Sequence, residues 1–416
     1  MSLSEDRLSL LYRVSQTFNS SLDLSEVLNR VMDEVIAATR AERGFLVLRQ
    51  DDGSFRFGAA RGLDQSTVEA PEFQVSRGIV DRVAAQGKPL LTSDAQTDAW
   101  LASRDSVRIV GVRAILCVPL ALKGRTEGVI YVDSRLQAGV FSPDDVAMLE
   151  GIGASAAIAI ENARLYQVAV EKGRMERELQ VAREVQSSLL PQDLPNLAGW
   201  QFASWWQPAR EVSGDFYDFA PFRDGSLALV IGDVTDKGMP AALFMATARS
   251  VVRACIAAAY EPGLAVEQAN AELAAEAPNG MFVTLLVAQL NHNHGSVRVV
   301  NAGNNRPILY RASADKLVDL GAPGLPLGID PGQAYQTSEE LLLDGDFLLL
   351  HTDGLTDAND ASQSLFGMDR LRAALLQHRS TPAPDLRDRL RQAVDNFIGA
   401  VPPYDDVTFL IARRTT

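Results

Sequence analysis

Four short stretches gather carboxylates: "EVSGDFYDF" around Asp215, "IGDVTDKGMPAALF" around Asp233, "LLLHTDGLTDAND" around Asp353, and "PYDDVTFLIARR" around Asp405 and Asp406. In three of them an apolar run that reads as a strand sits directly beside the acids. Unpaired negative charge at a buried strand end is costly, and a divalent cation is the simplest way to offset it. Singly, each stretch reads as turn chemistry, because Asp tolerates turns and the adjacent Gly214, Gly232 or Gly354 permits positive φ. Together they form a donor set of carboxylates, backbone carbonyls and water, which suits hard cations such as Mg²⁺ and Mn²⁺. No Cys/His zinc spacing competes, and His292 and His294 fall in a hairpin turn. Three or four carboxylates balance two divalent ions, and such a pair lowers the pKa of a bridging water and clamps phosphoryl oxygens for in-line attack. The chemistry implied is hydrolysis of a phosphate ester without a covalent enzyme intermediate. No cysteine-based phosphatase loop or Walker-type glycine loop suggests another route.

The acids must be positioned by a region, 192–416, in which strands alternate with helices. Strand-like runs are "WQFASWWQP", "SLALVIGDV", "MFVTLLVAQL", "SVRVVNAG", "RPILYRA", "DFLLLHTDG" and "DVTFLIARR"; helical runs cover 240–260, 263–275, 368–378 and 385–399. Short turns such as "NHNHGS" favour antiparallel sheets with helices outside, an α+β domain, over a doubly wound parallel sheet.

Upstream, residues 1–165 begin with an amphipathic helix carrying Leu10, Leu11, Val14 and Phe18 at helical spacing. A second helix, "LSEVLNRVMDEVIAATR", takes Ser25 or Asp23 as its cap. Strands follow in "RGFLVLRQ", "SFRFGAARG", "AILCVPLAL" and "EGVIYVDS", the last two joined at Lys123-Gly124-Arg125. A long helix then runs from about Pro143 to Leu190. Its part over 166–191 is expected to be a coiled-coil linker, with Leu165, Val168, Lys172, Met175, Leu179, Ala182, Gln186 and Leu189 on the seam. A single amphipathic helix packed on its own domain is the alternative.

Of 416 residues, 47% are apolar and the net charge is -14. That excludes a non-specific nucleic-acid or anionic-membrane surface, which needs clustered Lys and Arg. Cys117 and Cys255 read as buried free thiols in a reducing compartment. The first residues lack the pattern of a signal peptide, and the most apolar run, 152–160, is about half a membrane span. A cytoplasmic protein is expected.

Residues 192–416 resemble the metal-dependent (PPM) protein phosphatases, in the bacterial branch of sporulation and stress-response serine phosphatases. The resemblance is carried in order by "AREVQSSLLPQDLP", "PAREVSGDFYDF", "GDVTDKGMPAAL", "NAGNNRP", "LLHTDGLTDAN" and "DDVTFL". It implies two central antiparallel sheets flanked by helices, two Mn²⁺ or Mg²⁺ ions, and a phosphoserine or phosphothreonine protein substrate, in this branch a phosphorylated anti-anti-sigma-type protein. By the same resemblance Asp233 bridges both ions and the Val234 carbonyl completes one of them. Asp353 and Asp405 bind the second ion, with Asp406 the alternative to Asp405, and Asp215 serves the first ion directly or through water. Arg210 is a candidate phosphate clamp or a solvated surface arginine. Thr235 stands where eukaryotic relatives carry a histidine acid, and Asn304 where this branch often has His.

Residues 20–165 resemble a GAF sensor domain through "FNSSLDLSEVLNRVMDEV", "GIVDRVAAQGKPLLTSD", "AILCVPL" and "GVIYVD". This implies an unknown small-molecule ligand and a homodimer formed through the GAF domain and linker helices. The signature of cyclic-nucleotide binders is not visible, and Cys117 reads as core. The segment 93–111 is either a pocket lid or a plain loop. A non-catalytic regulator, or a sensor acting on a small-molecule phosphate, is the rival function.

Overall fold

The computed structural model describes residues 12–18, 20–50, 52–62, 77–98, 100 and 111–415. The chain divides into two compact units, Met1–Met175 and Glu176–Thr416. Leu10, Leu11 and most of the expected lid lie outside the described residues.

In the N-terminal unit, α1 (Leu24–Thr39) starts where the Asp23 carboxylate accepts the Glu26 N–H, so Asp23 rather than Ser25 is the cap. Five strands follow: β1 (Arg43–Arg49), β2 (Phe55–Gly62), β3 (Leu90–Thr92), β4 (Ala114–Leu122) and β5 (Arg125–Ser134), with α2 (Arg77–Gln86) before β3. They form one antiparallel sheet in the order β2-β1-β5-β4-β3. Lys123 and Gly124 both take positive φ in the β4–β5 turn, as a two-residue hairpin with the sheet's twist requires.

Alternation along β4 divides two cores. Leu116, Val118 and Leu120 face α1 residues such as Val31 and Val35 and the start of α3 (Pro143–Leu189). Ile115 and Cys117 face α2 through Ile79, Val80 and Val83. Cys117 is therefore a core thiol, and burial raises its pKa. Arg43 and Asp133, paired across β1 and β5, form a buried two-pronged ion pair, with Nε to Oδ1 at 2.9 Å and a terminal nitrogen to Oδ2 at 2.5 Å.

Helix α3 opens with a reciprocal cap between Ser142 and Asp145. Its 47 residues correspond to about 70 Å at ~1.5 Å per residue. Ile152, Ala156, Ala159 and Ala163 are buried in the N-terminal core, whereas Leu165, Val168 and Met175 are 57–60% exposed. By length and composition α3 and the later α4 could each cross a membrane; both also bury apolar residues in the cores of their units.

The C-terminal unit packs two five-stranded antiparallel sheets face to face. One has the order β13-β10-β9-β8-β7, from β7 (Phe216–Pro221), β8 (Leu227–Val234), β9 (Val283–Asn291), β10 (Ser296–Ala302) and β13 (Thr337–Leu341). The other has the order β12-β11-β14-β15-β6, from β6 (Trp200–Gln207), β11 (Ile308–Arg311), β12 (Lys316–Asp319), β14 (Phe347–His351) and β15 (Val407–Arg414). Helices α4 (Met239–Ala258) and α5 (Pro262–Glu276) cover the first sheet; α7 (Gly367–Gln377) and α8 (Ala383–Ile398) cover the second, and a single turn, α6 (Gly354–Asp357), follows β14. In β14, Leu348 and Leu350 enter the inter-sheet core while Phe347 and Leu349 meet the outer helices. Burial on both faces explains the unbroken apolar runs in sequence. The helices expected at 240–260, 263–275, 368–378 and 385–399 are present within two residues at each end.

Removing one partner of a buried ion pair strands the other's charge, at a cost of roughly 3–5 kcal/mol. Arg43→Ala is expected to lower the stability of the N-terminal unit by about that amount in denaturant titration. A loss below about 1 kcal/mol would show that Asp133 finds other compensation.

Candidate active site

The four acidic motifs meet because of strand pairing. Phe216 at the start of β7 pairs with Gly232 near the end of β8, which brings Asp215 beside Asp233. His351 at the end of β14 pairs with Phe409, and Thr352 N–H donates to Thr408 O at 3.0 Å, bringing Asp353 to the Asp405–Asp406 turn. Glycines permit the close approaches. A Cβ on Gly354 would sit 1.9 Å from Asp406 O, and one on Gly214 would sit 2.8 Å from Val234 O. Gly232 passes under the Phe216 ring, where a Cβ would lie 2.5 Å away.

Asp215 is buried, and its Oδ2 accepts hydroxyl hydrogen bonds from Thr352 at 2.8 Å and Thr408 at 2.5 Å. Burial, then the charges of Asp233 and Asp406, hold its pKa well above the carboxylate range. Asp233 is pushed up to about 7, by burial first and then by Asp353 and Asp405, with a hydrogen bond from the Asp215 carboxyl opposing the rise. Asp353 is also raised, by desolvation and then by Asp405, although its residue surface is exposed. Negative charge is thus concentrated beyond what local donors neutralise.

Asp405 and Asp406 have different surroundings. Asp406 Oδ1 accepts from Ala209 N–H at 2.7 Å, and its Oδ2 accepts from Ser213 Oγ at 2.6 Å and Gly214 N–H at 2.9 Å. It therefore braces the 209–214 loop. Asp405 Oδ1 accepts from Asp406 N–H at 3.0 Å, and its Oδ2 faces Lys237 Nζ at 3.0 Å. Arg210 is exposed and makes no hydrogen bond or ion pair with another described residue. Thr235 is tied by its hydroxyl and backbone to Phe282, and Asn304 is spent on Asn301, Thr284 and Asn305. His351 is buried, its Nδ1 facing Thr352 O at 3.0 Å, and desolvation lowers its pKa.

Among the described residues, no three Asp, Glu, His or Cys side chains converge tightly enough to chelate one ion as they stand. Magnesium is commonly held by only one or two carboxylates, with water filling the rest of its shell. All-oxygen donors, mutually raised pKa values and glycine-cleared backbone fit hard divalent ions.

Four residues of this neighbourhood, Ser213, Lys237, Thr352 and Thr408, escaped the sequence reading, as did the role of Gln186. Gln186, expected on a coiled-coil seam, is 4% exposed and clamps Ser213, its Nε2 donating to Ser213 O at 2.7 Å and its Oε1 accepting Ser213 N–H at 3.0 Å. Only its buried partner, twenty-seven residues away, reveals the role. Asp218 is likewise internal, paired with Arg249 and Arg253 of α4.

Residues 223–415 match the Stage II sporulation protein E (SpoIIE) family, and residues 21–161 match the GAF domain family. In order along the chain, these matches are a GAF domain and then a SpoIIE-type domain. It is 30% identical over 273 residues to Protein IcfG of Synechocystis sp., covering 59% of this chain and 43% of that protein. It is 26% identical over 239 residues to Phosphoserine phosphatase RsbU of Bacillus subtilis, covering 57% of this chain and 70% of that protein. This chain thus spans less than half of the first relative's length. The SiaA-PP2C domain of Pseudomonas aeruginosa superposes with a TM-score of 0.54 at 20% identity, over 60% of this chain and 100% of that one, a likeness of fold.

For the C-terminal unit, the raised Asp233 pKa sets a sign. The folded form holds a proton up to about pH 7 that the unfolded chain releases near pH 4. In a chelator, this group's contribution to stability therefore falls as pH rises between those values and stays low above them. Asp233→Asn lacks that penalty. In EDTA at pH 8 it is expected to be more stable than the parent by roughly 1–3 kcal/mol, with the gap narrowing toward pH 5, by thermal melting. A less stable variant at pH 8 would show that the Asp233 charge is compensated in the metal-free protein.

Proposed function

We propose that this chain is a signal-regulated, metal-dependent protein serine/threonine phosphatase that hydrolyses phosphoserine or phosphothreonine on a regulatory protein. One observation carries the reading: strand pairing brings the acids at four strand ends close enough that burial and mutual repulsion raise Asp215, Asp233 and Asp353 together. In this reading Asp233 lies between two Mn²⁺ or Mg²⁺ positions, with Asp215 and the Val234 carbonyl serving one and Asp353 and Asp405 the other. The engagement of Asp406 by three donors supports choosing Asp405. Bound ions would polarise the phosphoryl oxygens and lower the pKa of an attacking water.

The remaining steps fall to the chain itself. Thr352 and Thr408 orient Asp215, and Asp406 and Gln186 hold the loop that leads into it. Thr235, Asn304 and His351 are engaged elsewhere, so solvent water rather than a histidine supplies the proton to the leaving serine. RsbU is named a phosphoserine phosphatase; for this chain the substrate proposed is a phosphorylated anti-anti-sigma-type protein in sigma-factor regulation. The setting is cytoplasmic, without nucleic-acid or membrane partners.

The GAF domain is the proposed receiver of a small-molecule signal. Leu165, Val168 and Met175, exposed on α3, support a homodimer through the GAF domain and linker helices. Gln186, near the end of the same helix and bonded to Ser213 two residues before Asp215, gives a change in helix packing a route to the site.

With Mn²⁺, the parent is expected to dephosphorylate a phosphoserine peptide, and Asp233→Asn to lose about 100-fold or more, since even residues that merely orient metal ligands cost 10–100-fold. Full turnover by the variant would sink the catalytic reading; faster turnover of a metabolite phosphate than of phosphoprotein would redirect it. Inserting three residues after Lys172 should change activity or ligand response while Mn²⁺ uptake persists. If both are unchanged, the helix does not couple the domains.

A further inference from the structure

Lys237 lies in the loop between β8 and α4, held between Asp236 and Gly238, which both take positive φ. Its Nζ lies 3.0 Å from Asp405 Oδ2, donates to Tyr404 O at 3.1 Å, and sits 4.4 Å from the Tyr404 ring centroid. The lysine and Asp405 side chains are 34% and 35% exposed, so the pair is open to solvent and exchange. Among the described residues, Lys237 alone forms an ion pair with the five acids of the site. Arg210, the cation singled out from sequence, has no contact that places it there.

This amine has two kinds of partner. Asp405 is charged; the Tyr404 carbonyl and ring are neutral and hold a cation whatever becomes of the carboxylate. An ammonium has three donors, and the carbonyl uses one. Positive charge held on Asp405 would weaken the carboxylate's pull on the amine, leaving donors for an anion arriving at the same place. Lysine, a point charge on a flexible stem, suits such an exchange better than a guanidinium fixed by its fork.

We propose that Lys237 is an exchangeable counter-cation and phosphate-binding residue. Without metal it neutralises Asp405; when divalent ions occupy the site it stays on the Tyr404 cradle and binds a phosphoryl oxygen of the substrate. The proposal rests on the two-ion reading and adds a role for a residue outside the metal ligands.

The test uses the full chain as parent, Lys237→Met and Lys237→Arg. Mn²⁺ binding by titration calorimetry, without substrate, is expected to be roughly 2- to 5-fold tighter in Lys237→Met, the range for losing a competing, partly exposed ion pair. In the parent, acetylation of Lys237 by limiting acetic anhydride, read by mass spectrometry, should speed up on adding Mn²⁺ and slow again on adding inorganic phosphate. Inhibition by inorganic phosphate should weaken about 10-fold in Lys237→Met and less in Lys237→Arg, as expected for a charge-assisted contact. Unchanged Mn²⁺ affinity in Lys237→Met, or labelling of the parent indifferent to Mn²⁺, would overturn the exchange. Unchanged phosphate inhibition would overturn the phosphate-binding role. Failure of the parent to take up Mn²⁺ would overturn the two-ion reading and this one with it. The labelling arm needs no variant, so it decides even if a substitution impairs folding.

Discussion

Mutual repulsion among carboxylates brought together at the ends of β7, β8, β14 and β15 is the constraint around which the C-terminal unit is arranged. An isolated buried acid would neutralise itself by taking a proton, and Asp215 and Asp233 show that response in their raised pKa values. Their positions are nevertheless rigidly specified. Two facing sheets, their central strands apolar on both sides, fix where the strand ends fall, and glycines at 214, 232 and 354 let backbone pass where a Cβ would collide. The fold stores an arrangement that the apo charges oppose and that added positive charge would relieve.

The surrounding polar groups divide the labour. Thr352 and Thr408 come from the adjoining ends of β14 and β15 and converge on one oxygen of Asp215. Asp406 spends both oxygens on the 209–214 loop, and Gln186 takes the same loop from the other direction at Ser213. The loop entering Asp215 is thus gripped by one group from the sheet and one from the helix that continues from the GAF domain. Loss of either grip would loosen the loop, whose Gly214 carbonyl also accepts from Val234 N–H at the β8 end.

Much of this was legible in the sequence, for identifiable reasons. The acidic motifs announced hard-cation chemistry by residue type, and long apolar runs marked the central strands because both faces are buried. The edge strands β12, "KLVD", and β13, "TSEEL", were missed: they are short, polar and largely exposed, so no hydrophobic period marks them. β7 was seen as a motif and not as a strand because Asp218 interrupts its apolar pattern, and only the arginines of α4 explain that acid. The heptad reading placed Gln186 on a helix seam by spacing alone, which cannot see a backbone partner in a distant loop. Asp405 and Asp406 are indistinguishable in sequence, and a hydrogen-bond inventory is what separates them.

In the proposed mechanism this carboxylate cluster is built for two divalent ions. Anomalous diffraction from crystals of the full chain equilibrated with Mn²⁺ tests it most directly. Two manganese peaks per chain are expected, Asp233 touching both, Asp215, Asp353 and Asp405 around them, and Asp406 still bonded to Ala209, Ser213 and Gly214. Manganese bound elsewhere, or ligated by Asp406 after it leaves that loop, would contradict it.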